Sequence, residues 1–89
     1  MTQKNVPVQM IAYCGSDGEI RPIRFRFEDD AHAMHTICVE EIVDSRECCY
    51  VGREAFRFLC HTAEDDRRQL MELSYFVRSH TWTLLRAVY

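Results

Sequence analysis

A chain of 89 residues forms a single small domain, 1–89, because two separately packed cores need more chain than this. Its 47% hydrophobic and 28% charged residues belong to a folded globule and exclude the disordered class. A formal charge of -3 offers no global attraction to nucleic acid or anionic lipid. With no long apolar run and no signal pattern at the start, the expected location is the cytoplasm.

Val6 to Tyr13 is apolar and β-prone, and Gly15-Ser16-Asp17-Gly18 after it holds residues that tolerate a tight turn. In Pro22 to Glu28, Ile23, Phe25 and Phe27 alternate with Arg24, Arg26 and Glu28, which predicts a strand buried on one face. The two segments form a predicted hairpin. Asp29 to His32 interrupts the pattern. Met34 to Val43 follows with Ile37 and Val39 two apart, a third strand. Charges spaced by three and four in Glu40 to Glu47 offer a short helix as the competing reading. After Gly52, Ala55 to Cys60 repeats the alternation of arginine with aromatic residues and predicts a fourth strand.

The stretch from Thr62 onward supports two readings. Thr62 with Asp65 resembles a helix start, and Leu70, Leu73 and Val77 fit a helical stripe, giving an α+β alternative with a helix near 63–77. Met71, Leu73, Tyr75 and Val77 also alternate with polar or outward positions. Trp82 and Leu84 continue that period beyond Arg78-Ser79-His80, a terminal hairpin. The preferred fold is all-β: a small antiparallel meander of about six strands curled into a barrel or half-barrel. Its expected core is Ile23, Phe25, Phe27, Ile37, Val39, Phe56, Phe58, Leu73, Tyr75, Trp82 and Leu84.

Five cysteines, Cys14, Cys38, Cys48, Cys49 and Cys60, are an odd set without C-x-x-C spacing, which argues against a disulfide framework. A zinc site could draw on Cys48 or Cys49 with Cys60 and His61. Adjacent cysteines do not chelate as C-x-x-C does, and the inward parity of Cys60 suits a small buried hydrophobe. Consecutive Cys60 and His61 point to opposite faces of a strand and form no dyad. His32 and His35 read as solvated loop residues, and Asp29-Asp30 and Asp65-Asp66 as turn formers. No nucleophile elbow, phosphate loop or zinc-protease spacing is present. The expectation is therefore no enzyme, no catalytic residues, no metal and no cofactor.

All the cations except Lys4 are arginine, a residue suited to planar pairing with phosphate, carboxylate or aromatic faces. Arg24, Arg26 and Arg57 fall on outward parities of two strands. If those strands pair, they form a basic ladder for phosphates or a partner, with nearby rings able to stack bases. The competing reading has Glu28, Glu54 and Glu72 neutralise them through cross-strand ion pairs.

Gly18-Glu19-Ile20-Arg21-Pro22-Ile23-Arg24-Phe25-Arg26, together with Glu72-Leu73-Ser74-Tyr75 and Trp82 to Tyr89, resembles a group of small uncharacterised bacterial proteins encoded beside Y-family DNA-repair polymerases. The resemblance covers about a quarter of the chain and implies an all-β fold and a DNA-repair setting. Where that group places a tryptophan-arginine-glycine-arginine turn, this chain has Phe27-Glu28-Asp29-Asp30, which reverses the local charge. The expected function is a non-catalytic protein-interaction module that self-associates or binds a protein partner by an edge strand or an exposed aromatic face. Single-stranded nucleic-acid binding through Arg24, Arg26 and Arg57 is the alternative, and no membrane is involved.

Overall fold

In the computed structural model, which describes residues 5–50 and 52–88, the alternating segments become β1 (Val6–Cys14), β2 (Ile20–Glu28), β3 (Met34–Tyr50), β4 (Arg53–Glu64), β5 (Arg67–Phe76) and β6 (Thr81–Ala87). Lys4 and Tyr89, named above, lie outside the described residues. Each strand pairs antiparallel with the next, and β1 pairs with β6, so the meander closes into a barrel.

Among the described residues no helix forms, and both helical alternatives give way for the same reason. In β5, Met71, Leu73 and Tyr75 are all buried on one face, which a period of two delivers and a helix turn does not. Thr62 caps nothing. Its side chain is buried in β4 and Oγ1 donates to the Gln69 carbonyl at 3.0 Å. Asp65 takes a φ of 55° in the two-residue turn between the paired Glu64 and Arg67. Glu40 to Glu47 likewise lies within β3, where its close charges fall at two bulges, with Glu40 and Val43 as the extra residues opposite β4.

The core is an aromatic stack closed by aliphatic side chains. The Phe58 and Trp82 rings lie 5.5 Å apart and Tyr75 and Trp82 4.8 Å apart, with Phe25, Ile37, Leu73 and Leu84 buried around them. Phe27, Val39 and Phe56 are half-buried against this cluster. Ile23 departs from the expected core, being 48% exposed. On β1, Ile11 pairs with Arg24 and Ala12 with Pro22, so Ile23 is the extra residue of a bulge. That bulge inverts the phase of the strand: Phe25 and Phe27 face inward above it, and Pro22 and Ile20 below it.

Several strands change partner along their length. β1 uses Val6–Val8 against β6 and residues 9–14 against β2. β2 meets β3 only from Arg24 to Glu28, and from Val39 onward β3 pairs with β4 alone. Two hairpins therefore splay from the rung where Arg24 meets Cys38, one built of β1 and β2, the other of β3 and β4.

Candidate functional site

Between the splayed hairpins lies a groove of about 560 Å³. One wall is the start of β2, with Glu19, Arg21 and the ring of Tyr13. The other is the bulged part of β3, with Glu40, Glu41 and Ser45. Ile20, Pro22, Val39, Ile42 and Phe58 supply its apolar lining. Both walls are strand edges that have lost each other as partners, so each presents backbone donors and acceptors to the groove. Pro22 on β2 brings no N–H, in keeping with a proline on an edge strand. On β3, the two bulges are followed by a regular run in which Asp44 to Tyr50 matches Leu59 to Arg53 residue for residue.

On the same hairpin, Ile11, Tyr13 and Ile23 are exposed beside Arg21, Arg24 and Arg26, and Ile23, like Tyr13 and Arg21, borders the groove. The Arg21 guanidinium stands 4.6 Å over the Tyr13 ring and 3.3 Å from Glu19. Arg26 donates to Gln9 Oε1 at 3.3 Å, and Arg24 makes no side-chain hydrogen bond or ion pair among the described residues. Arg57 does not join them. β2 and β4 are separated by β3, and Arg57 sits opposite Arg46, six residues along β4 from the rung that faces Cys38, about 20 Å away at 3.3 Å per residue. It lines a separate cavity of about 50 Å³ with Asn5, Cys48, Ser74 and Leu85. The ladder expected from pairing of β2 with β4 therefore does not form; Arg24 and Arg26 share the exposed face of β2 with Arg21 instead.

The carboxylates expected to neutralise these arginines pair elsewhere: Glu72 accepts from Arg86 Nε at 3.0 Å, and Glu28 lies 3.0 Å from His32. Neither contacts Arg24, Arg26 or Arg57. Asp44 accepts from Arg46 at 2.9 Å and raises the pKa of that guanidinium, while Glu40 pairs with Arg68 at 3.0 Å.

His35 is not a solvated loop residue. It lies half-buried in β3 with Nε2 2.7 Å from Asp29 Oδ2, Nδ1 2.6 Å from Glu64 Oε2, and its ring stacked 5.1 Å from Phe27. A ring facing carboxylates through both nitrogens is best matched as the imidazolium, which donates twice. The hydrogen bond to Asp29 and then that to Glu64 raise its pKa, and Asp29 is lowered in turn, chiefly by His35. Asp29 also accepts from the Ala31 and Ala33 amides, so the first of the two acidic residues read as turn formers does shape the β2–β3 turn. No alternation marks this clamp in the sequence, since Glu64 comes from the far end of β4.

Cys60 is fully buried, and burial pushes its thiol up to about 12, while His61 is exposed on the opposite face. The five cysteines are unpaired, and the described residues hold no group of three or more histidine, cysteine or carboxylate side chains placed for a metal. They also contain no helix long and apolar enough to cross a membrane. No family model, curated protein or solved structure matches the chain.

Proposed function

We propose that this chain is a non-catalytic protein-interaction module that self-associates through the β1–β3 side of its barrel. The observation that carries this reading is where the exposed apolar residues fall. Ile11, Tyr13, Ile23, Met34 and Val43, the large hydrophobic side chains exposed among the described residues, all lie on β1, β2 or β3. Scattered singly they would mean little, but confined to one side of a small barrel they mark a surface that another chain covers. The groove with its two open edges belongs to the same side. The five unpaired cysteines suit the reducing cytoplasm, which is part of the same proposal.

Sedimentation equilibrium over a range of concentrations tests it. The wild type should assemble as concentration rises, and Ile11→Asp with Ile23→Asp should stay monomeric at an unchanged melting temperature, since both side chains are exposed. A wild type that remains monomeric throughout overturns self-association.

Arg24, Arg26 and the Arg21–Tyr13 stack on one exposed face favour a second reading, single-stranded nucleic-acid binding. The DNA-repair setting implied by the resemblance agrees with it. It ranks second because the residues flanking the groove are acidic.

A further inference from the structure

We infer that the small cavity on the outer face of β4–β6 binds a small monocarboxylate, with Arg57 as the group that meets its charge. Ala55, Arg57 and Ser74 alternate with the inward Phe56, Phe58, Leu73 and Tyr75, so their side chains stand on the outside of the barrel. Leu85 is the extra residue of a bulge on β6, between Leu84 opposite Leu73 and Arg86 opposite Glu72. Ala55 at 2% exposure, Ser74 at 5% and Leu85 at 7% are nonetheless buried, and with Arg57 and Phe76 they line a cavity of about 50 Å³. It lies away from the β1–β3 side proposed for self-association, so a ligand here displaces no second copy.

The polar groups of this cavity lack partners. Arg57 is half-buried and faces Ser74 across β4 and β5, yet among the described residues neither side chain makes a hydrogen bond or an ion pair. Thr83 continues the same rung on β6, and its Oγ1 is buried without a hydrogen-bond partner. Polar groups withdrawn from water in this way are costly unless an acceptor bonds them. The sign of that acceptor follows from the charges around it. Asp44 and Glu72, the carboxylates on the neighbouring rung at Leu59, are taken by Arg46 at 2.9 Å and Arg86 at 3.0 Å, which leaves Arg57 none. Phe76 carries a further cation, the Arg53 guanidinium, 4.3 Å over its ring. One free guanidinium in the lining matches one negative charge: its planar fork donates two bonds to a carboxylate, and the Ser74 hydroxyl donates another. Ala55, Phe76 and Leu85 then pack on a short hydrocarbon stub. Phosphate fits less well, because Arg57 is the one cation in the lining among the described residues and its second charge goes unmet.

NMR titration of the isotope-labelled protein with propionate, propionamide and inorganic phosphate decides the matter. Propionate should shift the Arg57 Nε–H and the Ser74 amide along saturable curves with one dissociation constant. Neutral propionamide, of nearly the same shape, should not, and phosphate should bind more weakly than propionate. Arg57→Gln should abolish propionate binding and Ser74→Ala should weaken it about tenfold, whereas Arg24→Gln on β2 should leave it unchanged. Should Arg57→Gln fail to fold, the wild-type comparison of propionate with propionamide and the Ser74→Ala affinity still decide. Equal shifts with propionamide overturn a site for charge, and tighter binding of phosphate overturns the carboxylate assignment. Shifts that stay linear with every probe, or full propionate affinity in Arg57→Gln or in Ser74→Ala, overturn the inference without touching the sedimentation result.

Discussion

His35 Nδ1 lies 2.6 Å from Oε2 of Glu64, a residue 29 positions later, and this contact ties the start of β3 to the end of β4. Asp29 takes the other ring nitrogen, so one imidazole joins the β2–β3 turn to the end of β4 on the same rim of the barrel.

The clamp makes stability depend on pH in a stated direction. The folded pKa of His35 is raised, so its contribution is complete below the ordinary 6.5 and is lost as pH climbs through the raised value. Asp29 works oppositely: its pKa is lowered from 3.8, so its contribution holds above that value and is lost as pH falls through the lower folded one. The clamp therefore acts most fully between the two ordinary values. Melting temperatures of wild type and His35→Gln should converge between about pH 6 and pH 9, with the wild type the more stable at the lower end. A constant difference across that range would show that His35 does not hold its proton by this contact.

Two apolar residues of β2 that look equivalent in the alternation should behave differently. Phe25 is 1% exposed and packs in the centre of the core, so Phe25→Ala should cost about 3–5 kcal/mol, most of the stability of a domain this small. Ile23 stands outside on the bulge, and Ile23→Ala should stay within about 0.5 kcal/mol of wild type. Urea denaturation of both variants checks the bulge directly: a similar cost at the two positions would return Ile23 to the interior.

Cysteine reactivity should divide by burial. Cys14, Cys38 and Cys49 are exposed and should alkylate rapidly in the native protein, whereas Cys60, buried and with its thiol pushed up to about 12, should react only on unfolding. Mass spectrometry of timed iodoacetamide reactions reads each site. Cys60→Ser should destabilise by about 1–3 kcal/mol through burial of a hydroxyl in an apolar core.

For the second functional reading, we expect no detectable single-strand binding at physiological salt, given the formal charge of -3. Anisotropy titrations with labelled oligonucleotides at low and physiological salt measure this. A saturable, salt-sensitive isotherm abolished by Arg26→Gln and unchanged by Arg57→Gln would exchange the two readings, because only Arg24 and Arg26 share a face with Arg21 and Tyr13.

The period of two was enough to place the strands. Phe25 and Phe27 inward, Met71, Leu73 and Tyr75 inward, Arg24 and Arg26 outward, and the turns at Gly15–Gly18 and Arg78–His80 all follow from local pattern, because a strand sorts its side chains by parity whatever it pairs with. Parity cannot report a break in itself. The bulges at Ile23, Glu40 and Val43 each insert one residue against a partner strand, so Ile23 moved outside and Glu40–Glu47, for which a short helix was the competing reading, is a bent strand. The meander order, which sets β3 between Arg24 and Arg57, followed from the short connections, but how far each pair of strands runs together did not: the divergence of β2 from β3 opens the groove, and the register of β3 on β4 carries Glu64 to His35. These are contacts between residues far apart in the chain, decided by the register in which the barrel closes, and no property of either residue alone encodes them.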